Sequence, residues 1–211
     1  MNEVPQSVGA VAAIRKKNRR TLLLILAVSA APVALAWLAF LTGLGVPGET
    51  VNHGLIIEPA LKVESLLQER NDEFLQGMEQ NRKWHLFIPY YGACSEDCQQ
   101  ILYLTRQVHL RLGDKSSRVE RVLVNLAGRQ GEDFFSSIAA EHPKLKRVDV
   151  VLRRWEDWAE KSELLRQAGN KPVYLLVDQE GFAMMLYGAE VSGGDLLKDL
   201  KRVLKHSIDY S

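Results

Sequence analysis

The pattern of hydrophobic and polar positions changes character twice along the chain. Residues 21–44 are one apolar run without a charged side chain, and about 20 such residues suffice to cross a bilayer as a helix. Residues 45–82 are polar and rich in charge. Pro47-Gly48 predicts a helix break, Val51-Asn52-His53-Gly54 a turn, and Leu61, Leu66, Leu67, Phe74 and Leu75 follow helical spacing within 61–78. That spacing fits either one helix or two short pieces. From Lys83 onward the pattern is regular. It predicts a buried strand over 84–91, a helix over 98–112 with Ile101, Leu104, Val108 and Leu112 on one face, and a strand over 119–126. A helix over 134–140, a strand over 147–152 and a helix over 155–168 follow. Strands over 173–177 and 182–187 flank the turn Gln179-Glu180-Gly181, and an amphipathic helix over 195–207 closes the series.

The order β-α-β-α-β-α-β-β-α is that of an α/β, thioredoxin-like domain, a mixed sheet flanked by helices and here preceded by one N-terminal transmembrane helix. Arg15, Lys16, Lys17, Arg19 and Arg20 precede the apolar run, whereas 46–61 contains no Lys or Arg. This asymmetry places the N-terminus in the cytoplasm. Ala34-Leu35-Ala36 resembles a signal-peptidase site, but the apolar run continues through Trp37, Phe40 and Leu44, beyond a signal h-region. Four segments are expected: a basic cytoplasmic tail (1–20), a transmembrane helix (21–44), a tether and membrane-proximal segment (45–82) and the thioredoxin-like domain (83–211). That domain would face the periplasm from the bacterial inner membrane. A formal net charge of +1 gives no electrostatic footprint for nucleic acid. Nothing resembling H-E-x-x-H, a nucleophile elbow or a paired glycosidase carboxylate occurs, so hydrolase chemistry has no basis.

Candidate chemistry rests on Cys94 and Cys98, the only cysteines, spaced C-x3-C between the first regular strand and its helix. In an oxidising compartment two such thiols form a disulfide unless kept reduced or metallated. Helical Cα atoms four residues apart lie about 6 Å from each other, within reach of a disulfide. A helix N-terminus favours thiolate, while Glu96 and Asp97 add opposing charge. Two thiolates also suit Cu(I).

The stretch from Lys83-Trp84-His85-Leu86-Phe87 through Tyr91-Gly92-Ala93-Cys94-Ser95-Glu96-Asp97-Cys98, with Leu112-Gly113 and a Val-rich strand, resembles the Sco/SenC family. Those membrane-anchored thioredoxin-fold proteins assist assembly of the copper site of cytochrome c oxidase. The resemblance covers the chain from Lys83 to the C-terminus, and Val51-Asn52-His53-Gly54 looks like the start of membrane proteins of bacterial oxidase gene clusters. It implies copper handling by Cys94 and Cys98, with an oxidase subunit or a Sco protein as partner. The family motif C-P-D-x-C-P is matched only in part. Glu96 keeps an acid at the Asp position, Ser95 and Gln99 replace both prolines, and Gly92 stands where the family has Thr. The third copper ligand of the family, a His, falls at Asn170, and Asn125-Leu126-Ala127-Gly128-Arg129 lacks the family's Asp-Pro-x-Arg-Asp. Pro172, before the strand over 173–177, occupies the place of the thioredoxin proline that binds peptide substrates in cis, and either isomer is open.

Three roles remain open: a copper-site assembly factor with Cys94 and Cys98 as metal ligands and an unknown third ligand, a thiol–disulfide oxidoreductase acting on oxidase or Sco cysteines, and a non-catalytic scaffold with a structural disulfide. Cu(I) is the cofactor if there is one. Of the five histidines, His85 is expected on the side away from the cysteines, His109 too far along the helix, His142 and His206 at the surface, and His53 on a tether that could swing in. Trp155 and Trp158 read as core packing, and Gly193-Gly194-Asp195 as helix capping.

Overall fold

The computed structural model describes residues 6–42, 52–68 and 70–210, with side chains of the first helix from residue 18 onward. Leu44, Pro47-Gly48 and Val51 therefore lie outside the described residues. The chain divides into two compact units, 1–50 and 51–211. The first holds helix α1 (Gln6–Thr42), which includes Pro32. Over Asn18–Thr42 it is long and apolar enough to cross a membrane, and Leu22, Leu26, Val33, Trp37 and Phe40 are exposed along it. The Ser29 and Thr42 hydroxyls donate to the carbonyls of Ile25 and Leu38, so these polar groups are satisfied within the helix.

The second unit runs β1 (Leu55–Lys62), α2 (Glu64–Leu67), α3 (Asp72–Asn81), β2 (Trp84–Tyr90), α4 (Glu96–Arg111), a 3-10 turn (Gly113–Arg118) and β3 (Val119–Asn125). It continues with α5 (Arg129–Ile138), β4 (Leu145–Asp149), α6 (Leu152–Ala159), α7 (Glu163–Ala168), β5 (Val173–Val177), β6 (Phe182–Gly188) and α8 (Gly193–His206). One six-stranded sheet has the order β1-β6-β5-β2-β3-β4. β2, β3 and β4 are parallel, while β5, β6 and β1 join antiparallel. This is the mixed, helix-flanked sheet of a thioredoxin-like fold.

All seven residues of β2 and all five of β5 are buried, as expected of strands covered on both faces. Side chains alternate between two cores. Leu86, Ile88 and Tyr90 of β2 pack with Tyr174 and Leu176 of β5 under α4 and α8. Phe87, Leu175 and Val177 pack on the other face with Trp155, Trp158 and the residues before β2.

Over its described part, 52–68 and 70–82, those residues correct the reading of the segment before Lys83 as a tether. β1 pairs antiparallel with β6, Leu55 opposite Leu186 and Lys62 opposite Phe182, and Ile57, Leu61, Val63, Leu66, Leu67 and Met78 all enter the core. Only Ile57 and Leu61 of β1 are buried. That four-residue spacing imitates a helix, because the pairing shifts register between Ile56 and Leu61. Pro59 sits there on an edge strand, where its missing N–H leaves no ladder bond unmade. The helical spacing of 61–78 resolves into the two short helices α2 and α3. The single helix expected over 155–168 is also two, α6 and α7, parted before Ser162, which is fully buried.

The Asn52-His53-Gly54 segment is fastened to α8 by one carboxylate. Asp199, 1% exposed, accepts from the backbone N–H of His53 at 2.8 Å and of Gly54 at 3.1 Å, and from the Tyr187 hydroxyl at 3.2 Å. His53 Nδ1 lies 3.1 Å from Asp199 and Nε2 lies 3.2 Å from Asp195. Gly54 is required because the Tyr187 ring lies on it: a Cβ there would stand 2.5 Å from Cζ. This corrects the expectation that His53 could swing on a tether.

Two predictions follow from these buried groups. Asp199→Ala removes the acceptor of the buried Gly54 N–H, of the part-buried His53 N–H and of the Tyr187 hydroxyl. Each is a loss of about 1–3 kcal/mol when fully buried, so chemical unfolding of the full chain in detergent should show a loss on the order of 3 kcal/mol. A loss within experimental error would contradict the clip. Burial holds the imidazoles of His85, His109 and His142 below their ordinary 6.5; at His85 it outweighs the carboxylate of Glu120, 3.6 Å away. The unfolded state then binds more protons below 6.5, so stability is full above that value and falls as the pH drops beneath it. Tm should decrease from about pH 7.5 to about pH 5.5, and His85→Leu should flatten part of the decrease. A Tm that is constant or rises over that window would contradict this.

Candidate functional site

The central strand β2 ends at Tyr90, and a turn carries the chain to α4. Gly92 adopts φ +110°, a conformation open to glycine but costly for other residues. Its carbonyl accepts from the Tyr90 hydroxyl at 2.9 Å and from Gln130 Nε2 at 2.6 Å. The Tyr90 ring stacks on Phe134 with centroids 4.3 Å apart, so the turn is held against α5. The neighbouring loop is built around Asn125, which is 1% exposed. Its Nδ2 donates to Gly128 O at 2.8 Å and Asp149 Oδ1 at 2.7 Å, and its Oδ1 accepts from Ala127 N at 3.0 Å.

On this platform Cys94 and Cys98 form a disulfide, with Cα atoms 5.1 Å apart, inside the usual range. Ser95 is the N-cap of α4, its Oγ accepting from Cys98 N at 3.4 Å. Cys94 therefore precedes the helix while Cys98 lies in its first turn, beside N–H groups that favour negative charge. The two sulfurs differ in access: Cys98 is 8% exposed and Cys94 is half-buried. Gln99 Nε2 donates to the Cys94 carbonyl at 3.4 Å. Glu96 and Asp97 are exposed in the same turn.

Pro172 is half-buried immediately before β5. The peptide bond before it is trans, the cis bond among the described residues being Glu58–Pro59. β5 runs antiparallel to β2 with Phe87 opposite Leu175, so Pro172 lies toward the end of the sheet that carries the cysteines. A hydrogen bond from the Tyr91 hydroxyl to Gly169 O, 3.2 Å, ties the two loops there. Burial pushes the Tyr91 phenol up to about 12, leaving it a neutral donor. Asn170, at the place of the family's histidine, is exposed.

The histidines stand elsewhere. His85 points into the opposite core against Phe74 and Phe87. The His109 ring bonds Val119 O at 2.9 Å. His142 is 8% exposed, contrary to the surface position expected, with Nδ1 3.4 Å from Arg121; His206 is exposed as expected. Among the described residues no three His, Cys, Asp or Glu gather to hold a metal. The reduced pair would thus offer copper two soft donors, a set Cu(I) accepts, with no third beside them among the described residues. Trp155 and Trp158 are core residues, as their spacing suggested, 4% and 3% exposed.

Sequence reasoning missed the polar groups that shape this end of the sheet. Asn125 and Gln130 carry no motif. Arg121 and Asp199 left a faint mark, a lone cation inside a valine-rich strand and a carboxylate on the apolar face of an amphipathic helix.

No curated protein matches the chain. It is similar to the copper-bound ScoI of Arabidopsis thaliana, at 14% identity over 73% of this chain and 99% of that one, with TM-score 0.48. Copper-bound yeast Sco1 gives 12% identity over 76% and 97%, TM-score 0.48. The apo Sco1 protein of Thermus thermophilus gives 15% over 75% and 99%, TM-score 0.47. The resemblance to Sco/SenC structures is thus one at low sequence identity. A family model described as transmembrane-like, thioredoxin-like, C-terminal domain matches residues 84–207, more than half of the chain, and the protein belongs to that family.

Proposed function

We propose that this protein is a membrane-anchored thiol–disulfide exchange factor serving assembly of a respiratory haem–copper oxidase. The observation that carries the thiol reading is the asymmetric pair, Cys94 half-buried ahead of the N-cap and Cys98 buried behind it, with no third metal donor beside them among the described residues. Working as a reductant, the Cys94 thiolate attacks one sulfur of a partner disulfide, and the partner's other sulfur leaves as thiolate. Cys98, deprotonated at the helix start, then attacks Cys94 of the mixed disulfide. The partner departs with two thiols, and Cys94–Cys98 is left oxidised. A dithiol reductant must return the two electrons. Pro172 borders the same end of the sheet and would steady the partner's extended chain.

The partner, an oxidase subunit or a Sco protein, is supported by the sequence resemblance. The basic residues at 15–20 support an inner-membrane anchor with the N-terminus in the cytoplasm and the domain in the periplasm. The domain then begins near residue 52, where the His53–Asp199 clip starts, rather than at 83.

The test is trapping. Full-length Cys98→Ser should accumulate a mixed disulfide through Cys94 with a partner thiol, whereas Cys94→Ser should not; trapping through Cys98 alone, or through neither, overturns the exchange reading. A second reading, copper delivery by the reduced pair as a two-coordinate dithiolate, is supported by the two adjacent thiols that reduction would free, a donor set Cu(I) accepts. One-to-one Cu(I) binding by the reduced full chain, lost in the double serine variant, would establish it; equal binding by both would dismiss it.

A further inference from the structure

Between α4 and α5, one helical turn beyond the disulfide, lies a pocket of about 370 Å³ lined by Gln99, Leu102, Tyr103, Arg106, Phe134 and His142, among others. It adjoins the cysteines because the Gln99 amide that lines it bonds the Cys94 carbonyl. Its charge is unusual. Arg121, 2% exposed, lies behind His142 and among the described residues is held by neutral acceptors: Thr105 Oγ1 at 3.1 Å, Leu102 O at 2.8 Å and His142 Nδ1 at 3.4 Å. Accepting from a guanidinium requires a lone pair on Nδ1, so the His142 proton sits on Nε2. Arg106 is half-buried, and among the described residues it too has no ion-pair partner. Burial, and then the charge of Arg106, pull the Arg121 guanidinium down to about 10. Burial and both arginines hold His142 below its ordinary value.

One half-buried cation, Arg106, and the His142 imidazole therefore line a pocket whose apolar walls are Leu102, Tyr103, Phe134 and Ile138, and the buried cation Arg121 stands directly behind His142. Such a site suits an anion on an apolar body. Glu141 at the rim adds one negative charge, which is tolerable for a carboxylate and adverse for a dianion such as phosphate. We propose that this pocket binds the C-terminal carboxylate of a partner chain that ends in an aromatic or aliphatic residue, holding the partner beside the Cys94–Cys98 pair. The pocket rests on its own geometry, and its occupancy does not require the cysteines to react.

The test is calorimetric titration of the oxidised full chain in detergent with N-acetylphenylalanine, its neutral amide and inorganic phosphate. The acid should bind at least tenfold more tightly than the amide and than phosphate. Arg106→Gln, which removes no hydrogen bond or ion pair, should erase the preference for the acid, and Glu141→Gln should strengthen it. Equal affinity for acid and amide, phosphate binding as tight as the acid, no binding of any of the three, or an Arg106→Gln variant that keeps the preference would each overturn the proposal. Because the readout is binding to the oxidised protein, its failure leaves the exchange reading standing, and failure of mixed-disulfide trapping leaves the pocket standing.

Discussion

Strand β2 is hydrogen-bonded along both edges, to β3 and β5, and buried on both faces. This central placement satisfies its backbone groups while removing Trp84, Leu86, Phe87, Ile88 and Tyr90 from water together. That placement fixes the point at which the strand leaves the sheet, and with it the turn that carries the cysteines. The positive φ of Gly92, the stacked Tyr90–Phe134 pair and the Ser95 cap then need only local interactions to present Cys94 outward and Cys98 inward. The difference in access between the two sulfurs follows from where a hydrophobic strand ends.

Polar groups act as fasteners around this frame rather than as its foundation. Asp199 joins the segment before β1 to α8 and to Tyr187. Asn125 shapes the loop beside the disulfide and contacts Asp149. Arg121 ties β3 to α4 through Thr105 and the Leu102 carbonyl. Each is almost wholly buried, where a missing partner is costly. The molecule has thus committed buried polar groups chiefly where loops and helices meet the sheet.

What could be read from the sequence follows from this division. β2, β5, β6 and α8 declare themselves, since their burial reflects the periodicity of their own side chains. β1 does not: its two buried residues, Ile57 and Leu61, are set by a register shift against β6, which no local pattern records. The break between α6 and α7 and the burial of His142 likewise depend on tertiary neighbours. At the site, the paired thiols at a helix start were legible from C-x3-C. The trans state of the bond before Pro172 was not, because isomer preference there is set by the fold. Nor were the Gln130 and Asn125 supports, whose roles arise only once two loops lie side by side.

The account stands on a pair that cycles between disulfide and dithiol in the folded protein. The direct test is equilibration of the full chain in detergent with glutathione buffers of graded potential, reading the fraction of Cys94–Cys98 reduced by alkylation and mass. The account predicts a reversible two-electron transition within the span of known exchange proteins, roughly −120 to −270 mV, with the fold retained on both sides. A pair that stays oxidised below about −300 mV, or that reduces only as the domain unfolds, would mark a structural disulfide and contradict it.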